Sequence, residues 1–139
     1  MPIRFPLLPL PLRWTAVLAI AGFIFYASIF TVPPTTAVDT FRPEFVPLDK
    51  WRHVVAYAAF AYALAYAIAD SDLDHWRAAL LVIGVAILYG TGIEVGQYFL
   101  AHRVFDLNDI VANAIGASLV LVWYLVRPRL ELVPVAEWL

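Results

Sequence analysis

The sequence predicts an all-α membrane protein: four transmembrane helices in a compact bundle, with the N and C termini cytoplasmic. Three observations carry this expectation. Of 139 residues, 63% are hydrophobic and only 14% are Asp, Glu, Lys or Arg. So few charges cannot cover a water-facing surface, for which ordinary soluble domains use about 25%. Four apolar stretches each reach the roughly 20 helical residues that a hydrocarbon core about 30 Å thick requires. Those stretches do not alternate apolar with polar residues, which excludes a membrane β-barrel. The aromatic content of 15% excludes a disordered chain. A formal net charge of −2 provides no field to attract nucleic acid. With no cysteine, disulfides and thiolate chemistry are excluded.

The elements follow in order. Prolines at 2, 6, 9 and 11 argue against a regular helix over residues 1–13. The first span covers about 14–32, with no charge inside it, and Pro33 and Pro34 stop it. Its apolar run is longer than the roughly 7–15 residues of a signal-peptide core, so it reads as a retained span. Residues 33–49 contain Pro33, Pro34, Pro43 and Pro47 and read as an irregular connection. The second span covers about 51–69, the third about 76–100 and the fourth about 109–126, the last ended by Pro128. Trp14, Trp51, Trp76 and Trp123 lie near span ends, where indoles prefer the headgroup level. The tail, with Pro134 and Trp138, is expected to touch the headgroups. The chain reads as one domain, 1–139, without internal repeats. Four spans put both termini on the side of the 70–77 loop, and the basic residues flanking the first span, Arg4 and Arg13, make that side cytoplasmic.

The polar residues within the spans converge on the outer side. Asp49, Lys50 and His53 lie at the outer mouth of the second span, with Tyr57 one turn further in. Glu94 lies roughly 9 Å below the outer end of the third span, with Gln97 on the same face. Arg103 follows in the outer loop, and Asp109, Asn113 and Gly116 share one face of the fourth span. An intramembrane carboxylate costs at least about 2.5 kcal/mol on insertion scales, so Glu94 should face the interior with a partner, Arg103, Lys50 or His53. Gly90, Gly92 and Gly96 surround it, and Gly92-x-x-x-Gly96 permits close helix approach.

Blander roles stand beside these. Gln97 and Asn113 suit plain interhelical hydrogen bonds. Arg52 suits an interfacial anchor, and His102 and Asp106 suit solvated loop positions. Asp109 competes with Asn108 for the N-cap of the fourth helix.

No nucleophile elbow or His-Glu-x-x-His motif is present, so no metal or other cofactor is expected. His53, Glu94 and Asp109 form a metal triad only if the helices bring them together. A membrane-embedded enzyme using acid–base residues on an envelope lipid remains one alternative, and an oligomeric small transporter or channel another.

The ordered set Asp49-Lys50-x-x-His53, Tyr57, Glu94-x-x-Gln97, Arg103, Asp109-x-x-x-Asn113 and Gly116 resembles the VanZ-like family of small multi-pass membrane proteins. The resemblance covers residues 49–116. Val120 stands where that family often places a second glycine on the last helix. The family is named for a member linked to teicoplanin resistance. The resemblance implies a cell-membrane protein that engages an envelope lipid or precursor at an outer-facing polar pocket, with altered glycopeptide sensitivity. The site residues it implies are Asp49, Lys50, His53, Glu94, Gln97, Arg103, Asp109 and Asn113. Membrane lipids are the expected partners, homo-oligomers are compatible with the small-residue faces, and nucleic acid is not expected.

Overall fold

The computed structural model describes residues 1–32 and 34–139. The chain opens with strand β1, Ile3–Leu7, and helix α1, Leu10–Ile29. Pro9 caps α1 and Pro11 sits in its first turn, where amide hydrogens lack intrahelical partners and a fixed φ suits the helix. The prolines therefore start the helix earlier than position 14. α1 ends at Ile29, short of 32; the expected stop at Pro33 lies outside the described residues.

The connection that follows contains a regular turn. Ala37–Phe41 form a 3₁₀ turn closed by a capping box, in which the Thr36 amide donates to Asp39 Oδ2 at 2.8 Å. Helices α2 (Leu48–Ala67) and α3 (His75–Tyr98) come next. The last span is α4 (Leu107–Ser118) and α5 (Leu121–Val126), joined by a tightened turn in which the Leu119 and Val120 amides donate three residues back. Strand β2, Leu130–Pro134, completes the order.

The chain is mostly helical, and the two strands correct the purely helical expectation. β1 and β2 pair in parallel, from Ile3 opposite Leu130 to Leu7 opposite Pro134. Pro2, Pro6 and Pro134 disfavour helix here, and the whole helical bundle serves as the crossover that parallel pairing requires. The C-terminal tail, expected at the headgroups, folds back on the N-terminal segment.

This pairing brings both termini to the end of the molecule that holds the α2–α3 loop. Arg13, 3% exposed, reaches across to that loop. Its guanidinium makes a bidentate pair with Asp70, 2.8 Å on each arm, and donates to the Ala67 carbonyl at the C-terminus of α2. The pairing with Arg13 holds the Asp70 carboxyl below its usual range. Arg127 adds a bond to the Ala69 carbonyl.

Three helical segments are long and apolar enough to cross a membrane: Leu10–Ile29, His75–Tyr98 and Leu107–Arg129. Their outward faces expose Leu18, Phe23, Leu88 and Leu125, as lipid-facing surfaces do. α2 carries Asp49, Lys50, Arg52 and His53 in its first two turns and packs against α1, α3 and α4. A helix shielded by three others does not need an apolar outer face.

Among these packings, α2 against α4 is the closest. Gly116 lies directly on the backbone of Val54, where a Cβ would overlap the Val54 carbonyl. The expected approach at Gly92 is not used, because a Cβ there would meet no atom within 4 Å, and Gly96 only touches Ile29. Val120 is fully buried in the core with Ala61, Leu64 and Ala117, so the departure from glycine there fills space.

Gly116→Ala is expected to destabilise the protein by about 1–3 kcal/mol, while Gly92→Ala should leave its stability unchanged. Thermal unfolding in mild detergent reads both. Equal melting temperatures for the two variants would contradict the packing at Val54.

Candidate functional site

At the end opposite the termini, the start of α2, the last turns of α3, the 99–106 loop and the start of α4 meet. Asp106, rather than Asp109 or Asn108, caps α4, accepting the Asn108 amide at 2.8 Å. That leaves Asp109 free to face α2. Lys50 gathers three carboxylates on one ammonium: Asp109 at 2.5 Å, Asp106 at 2.6 Å and Asp49 at 2.8 Å. All three N–H bonds of the ammonium are thus engaged. Lys50, chiefly through this hydrogen bond, holds the Asp106 carboxyl below its usual range, with the Asn108 amide adding to the effect. Asp106 is therefore tied into this charged cluster and not merely solvated.

One turn further in, His53 Nδ1 lies 2.7 Å from the Asn113 Oδ1, and His53 Nε2 lies 3.5 Å from Asp109 Oδ1. Tyr57 stacks below His53, the two rings nearly parallel. Gly90 on α3 makes the space for this layer, since a Cβ there would meet Asn113 Nδ2 at 2.6 Å and Tyr57 at 2.8 Å.

Glu94 completes the layer from α3. It is 0% exposed, and neither carboxylate oxygen has a hydrogen-bond partner among the described residues. The Asp106 amide is close by without meeting hydrogen-bond geometry. His53, Glu94 and Asp109 each offer a ligand atom within 4.8 Å of the others. The condition set by the sequence for a metal triad is met by the fold.

Two expected partners of Glu94 are engaged elsewhere. Lys50 is saturated by aspartates. Arg103 instead donates to the Ala27 and Thr31 carbonyls, at 3.1 and 2.6 Å. Helix C-termini leave carbonyls without partners, and the end of α1 is satisfied in this way. Gln97 donates to the Ser28 carbonyl at 2.8 Å, and His102 reaches Ile29. Arg103 Nε stays buried without a partner among the described residues.

Sequence reasoning missed Asp39. It holds Arg52 in a two-armed pair, at 3.2 and 3.0 Å, and ties the 3₁₀ turn to α2, which gives Arg52 a structural role. The Thr36-x-x-Asp39 capping pattern was the available signal.

Two cavities meet here. A largely apolar groove of about 650 Å³ runs between α1 and α2, along Phe23, Ile24 and Ala56, and ends at Arg52, His53 and Arg103. A polar pocket of about 400 Å³ is lined by Lys50, His102, Asp106 and Asp109. Asp49, His53, Gln97 and Arg103 line both.

Apolar helices around a buried carboxylate–histidine–amide layer define a helical membrane protein with a polar site at one end. The family profile described as VanZ/LLP1 matches residues 13–128, and the chain belongs to that family. A Schizosaccharomyces pombe protein named "Uncharacterized protein C11E3.10" is 39% identical over 87 residues, covering 49% of this chain and 54% of the relative. The chain thus spans about half the length of the curated relative it matches. No solved structure matches it.

Lys50→Ala is expected to lower the melting temperature at neutral pH by leaving Asp49, Asp106 and Asp109 facing one another without a cation. A carboxylate whose folded pKa is depressed stabilises the fold above its unfolded value and loses that contribution as pH falls through the folded value. The stabilisation from Asp106 should therefore disappear below about pH 4. Melting curves of wild type and Lys50→Ala should converge as pH drops to 3, and a constant gap would contradict the arrangement.

Proposed function

We propose that this VanZ/LLP1 protein crosses the cell membrane four times, with both termini cytoplasmic, and binds a membrane amphiphile at its outer-facing polar site. Altered teicoplanin sensitivity is the proposed phenotype in a Gram-positive host. The observation that carries this reading is the shared wall of the two cavities. An acyl chain fits the apolar groove between α1 and α2, and an anionic headgroup fits the polar pocket beside it. Arg103, with one buried N–H unpartnered among the described residues, is the natural anchor for a phosphate or carboxylate. The four-span topology draws support from the 20-residue length of α2 and from both termini lying with the α2–α3 loop.

A second reading, a membrane-embedded enzyme acting on such an amphiphile, is favoured by one observation: His53 faces both Asp109 and Glu94, where it can serve acid–base chemistry. A channel is not favoured. Below the site the buried layer is apolar, with Phe60, Ala61, Leu64, Val82 and Ala86.

The chain has no native cysteine, so topology is directly testable. Ala101→Cys should react with an impermeant maleimide in intact cells and Ser71→Cys should not; the reverse pattern would invert the orientation. Native mass spectrometry from mild detergent should find an amphiphile on wild type and on Arg103→Lys, and much less on Arg103→Ala. Wild-type protein that carries no amphiphile would sink the binding reading. In a teicoplanin-sensitive host, expression of wild type should raise resistance over empty vector at verified membrane abundance.

A further inference from the structure

We propose that His53, Glu94 and Asp109 form a binding site for one divalent transition-metal ion of the zinc class. The site goes beyond the amphiphile reading and does not depend on it.

The argument begins with hydrogen positions. The Asn113 Oδ1 only accepts, so the nitrogen 2.7 Å from it, His53 Nδ1, carries the proton. In the neutral form of that tautomer, the one a metal binds, the Nε2 lone pair faces Asp109 Oδ1, 3.5 Å away. Glu94 brings a carboxylate oxygen into the same space. In that state the three side chains turn electron-pair donors toward one another, each ligand atom within 4.8 Å of the others. Lys50 donates to Asp109 and, with its other N–H bonds on Asp49 and Asp106, has none left for His53 or Glu94. Arg103 is turned to the carbonyls of α1. Glu94 is the independent sign of a ligand: fully buried, both oxygens unpartnered, and aimed at the other two donors.

The chemistry of the set selects the ion. One imidazole nitrogen and two carboxylate oxygens suit zinc or its neighbours better than calcium or magnesium, which prefer oxygen alone. Ligand bonds of about 2.0–2.2 Å in a tetrahedral arrangement put donors roughly 3.4 Å apart. The His53–Asp109 separation of 3.5 Å already matches, and the Glu94 ligand atom lies within 4.8 Å of both. Outer partners are in place: Asn113 orients the histidine and Lys50 holds the aspartate. A carboxylate has about four lone-pair sites, so Asp109 can keep Lys50 while binding an ion. Three protein ligands leave the fourth position of a tetrahedral ion open. His53 and Asp109 both line the polar pocket, so two of the three ligands are reachable from that space.

The test uses the full chain, purified in mild detergent with a tag that contains no histidine. Equilibrium dialysis against micromolar zinc, followed by elemental analysis, should give about one zinc per chain for wild type. Glu94→Gln and Asp109→Asn should lose most of it while keeping a wild-type circular-dichroism spectrum and elution volume. Asn113→Ala should weaken binding about 10–100-fold, and His102→Ala should bind as wild type does. Arg103→Ala should keep its zinc even if it loses its amphiphile, which separates this site from the amphiphile reading. Zinc absent from folded wild type, or retained in full by Glu94→Gln, would overturn the proposal. Loss of zinc by His102→Ala alone would do the same, because the ion would then sit on the loop.

Discussion

The close parallel approach of α2 and α4 at Gly116 governs the rest of the structure. With no side chain at 116, the α4 backbone comes down on the Val54 carbonyl. From that point the two helices stay in step. Lys50 meets Asp109, His53 meets Asn113, and Tyr62 donates to the Leu119 carbonyl. A larger residue at 116 would separate the helices, and every one of these short polar contacts would lengthen together. Hydrogen bonds and ion pairs weaken steeply with distance and angle. The spacing set by one glycine therefore controls the electrostatics of the whole polar end.

The polar end itself separates two kinds of work. Gln97, Arg103 and His102 satisfy carbonyls at the C-terminus of α1 and hold that helix to α3 and the following loop. Lys50 and its aspartates join the start of α2 to α4. Once these groups are assigned, Glu94 remains with no protein partner among the described residues. Burying a carboxylate without hydrogen bonds is costly in any apolar interior. The fold accepts this at one position, beside a histidine whose orientation is already set by Asn113. Arg13, Arg103, Asn113 and Tyr124 each leave a single buried atom unpartnered, whereas Glu94 leaves both oxygens of a carboxylate, which points to a ligand or to chemistry.

The two ends of the bundle are built on different principles. At the terminal end, Arg13 ties α1 to the end of α2 and to Asp70, and the β1–β2 pairing joins the first and last segments of the chain. These contacts restrain the ends of helices that have little side-chain polarity of their own. At the other end the restraint comes from buried side-chain pairs, and the α1–α2 groove opens beside them. A groove anchored at one mouth by charges and lined elsewhere by apolar side chains suits a molecule that is itself charged at one end.

Hydropathy and length made the helices legible without any structure, because a lipid-facing helix must be apolar along its whole run. The chain alone also marked the polar residues that meet, since each was out of place in an apolar stretch. It did not reveal how they pair. Lys50 and Arg103 were both read as partners for Glu94, yet one is taken by three aspartates and the other by the end of α1. Charge and depth fix which groups lie near one level, but pairing depends on rotation about helix axes and on the local approach at Gly116. The strands were hidden for a similar reason: short proline-containing termini signal only that they are not helical, and their pairing depends on where the bundle brings the two ends. The sequence by itself thus determined the membrane class, the apolar helices and most of the polar residues that meet at one end. Only the tertiary structure decided that His53, Glu94 and Asp109 face one another, because that arrangement is a contact among three helices and is written in no single one of them.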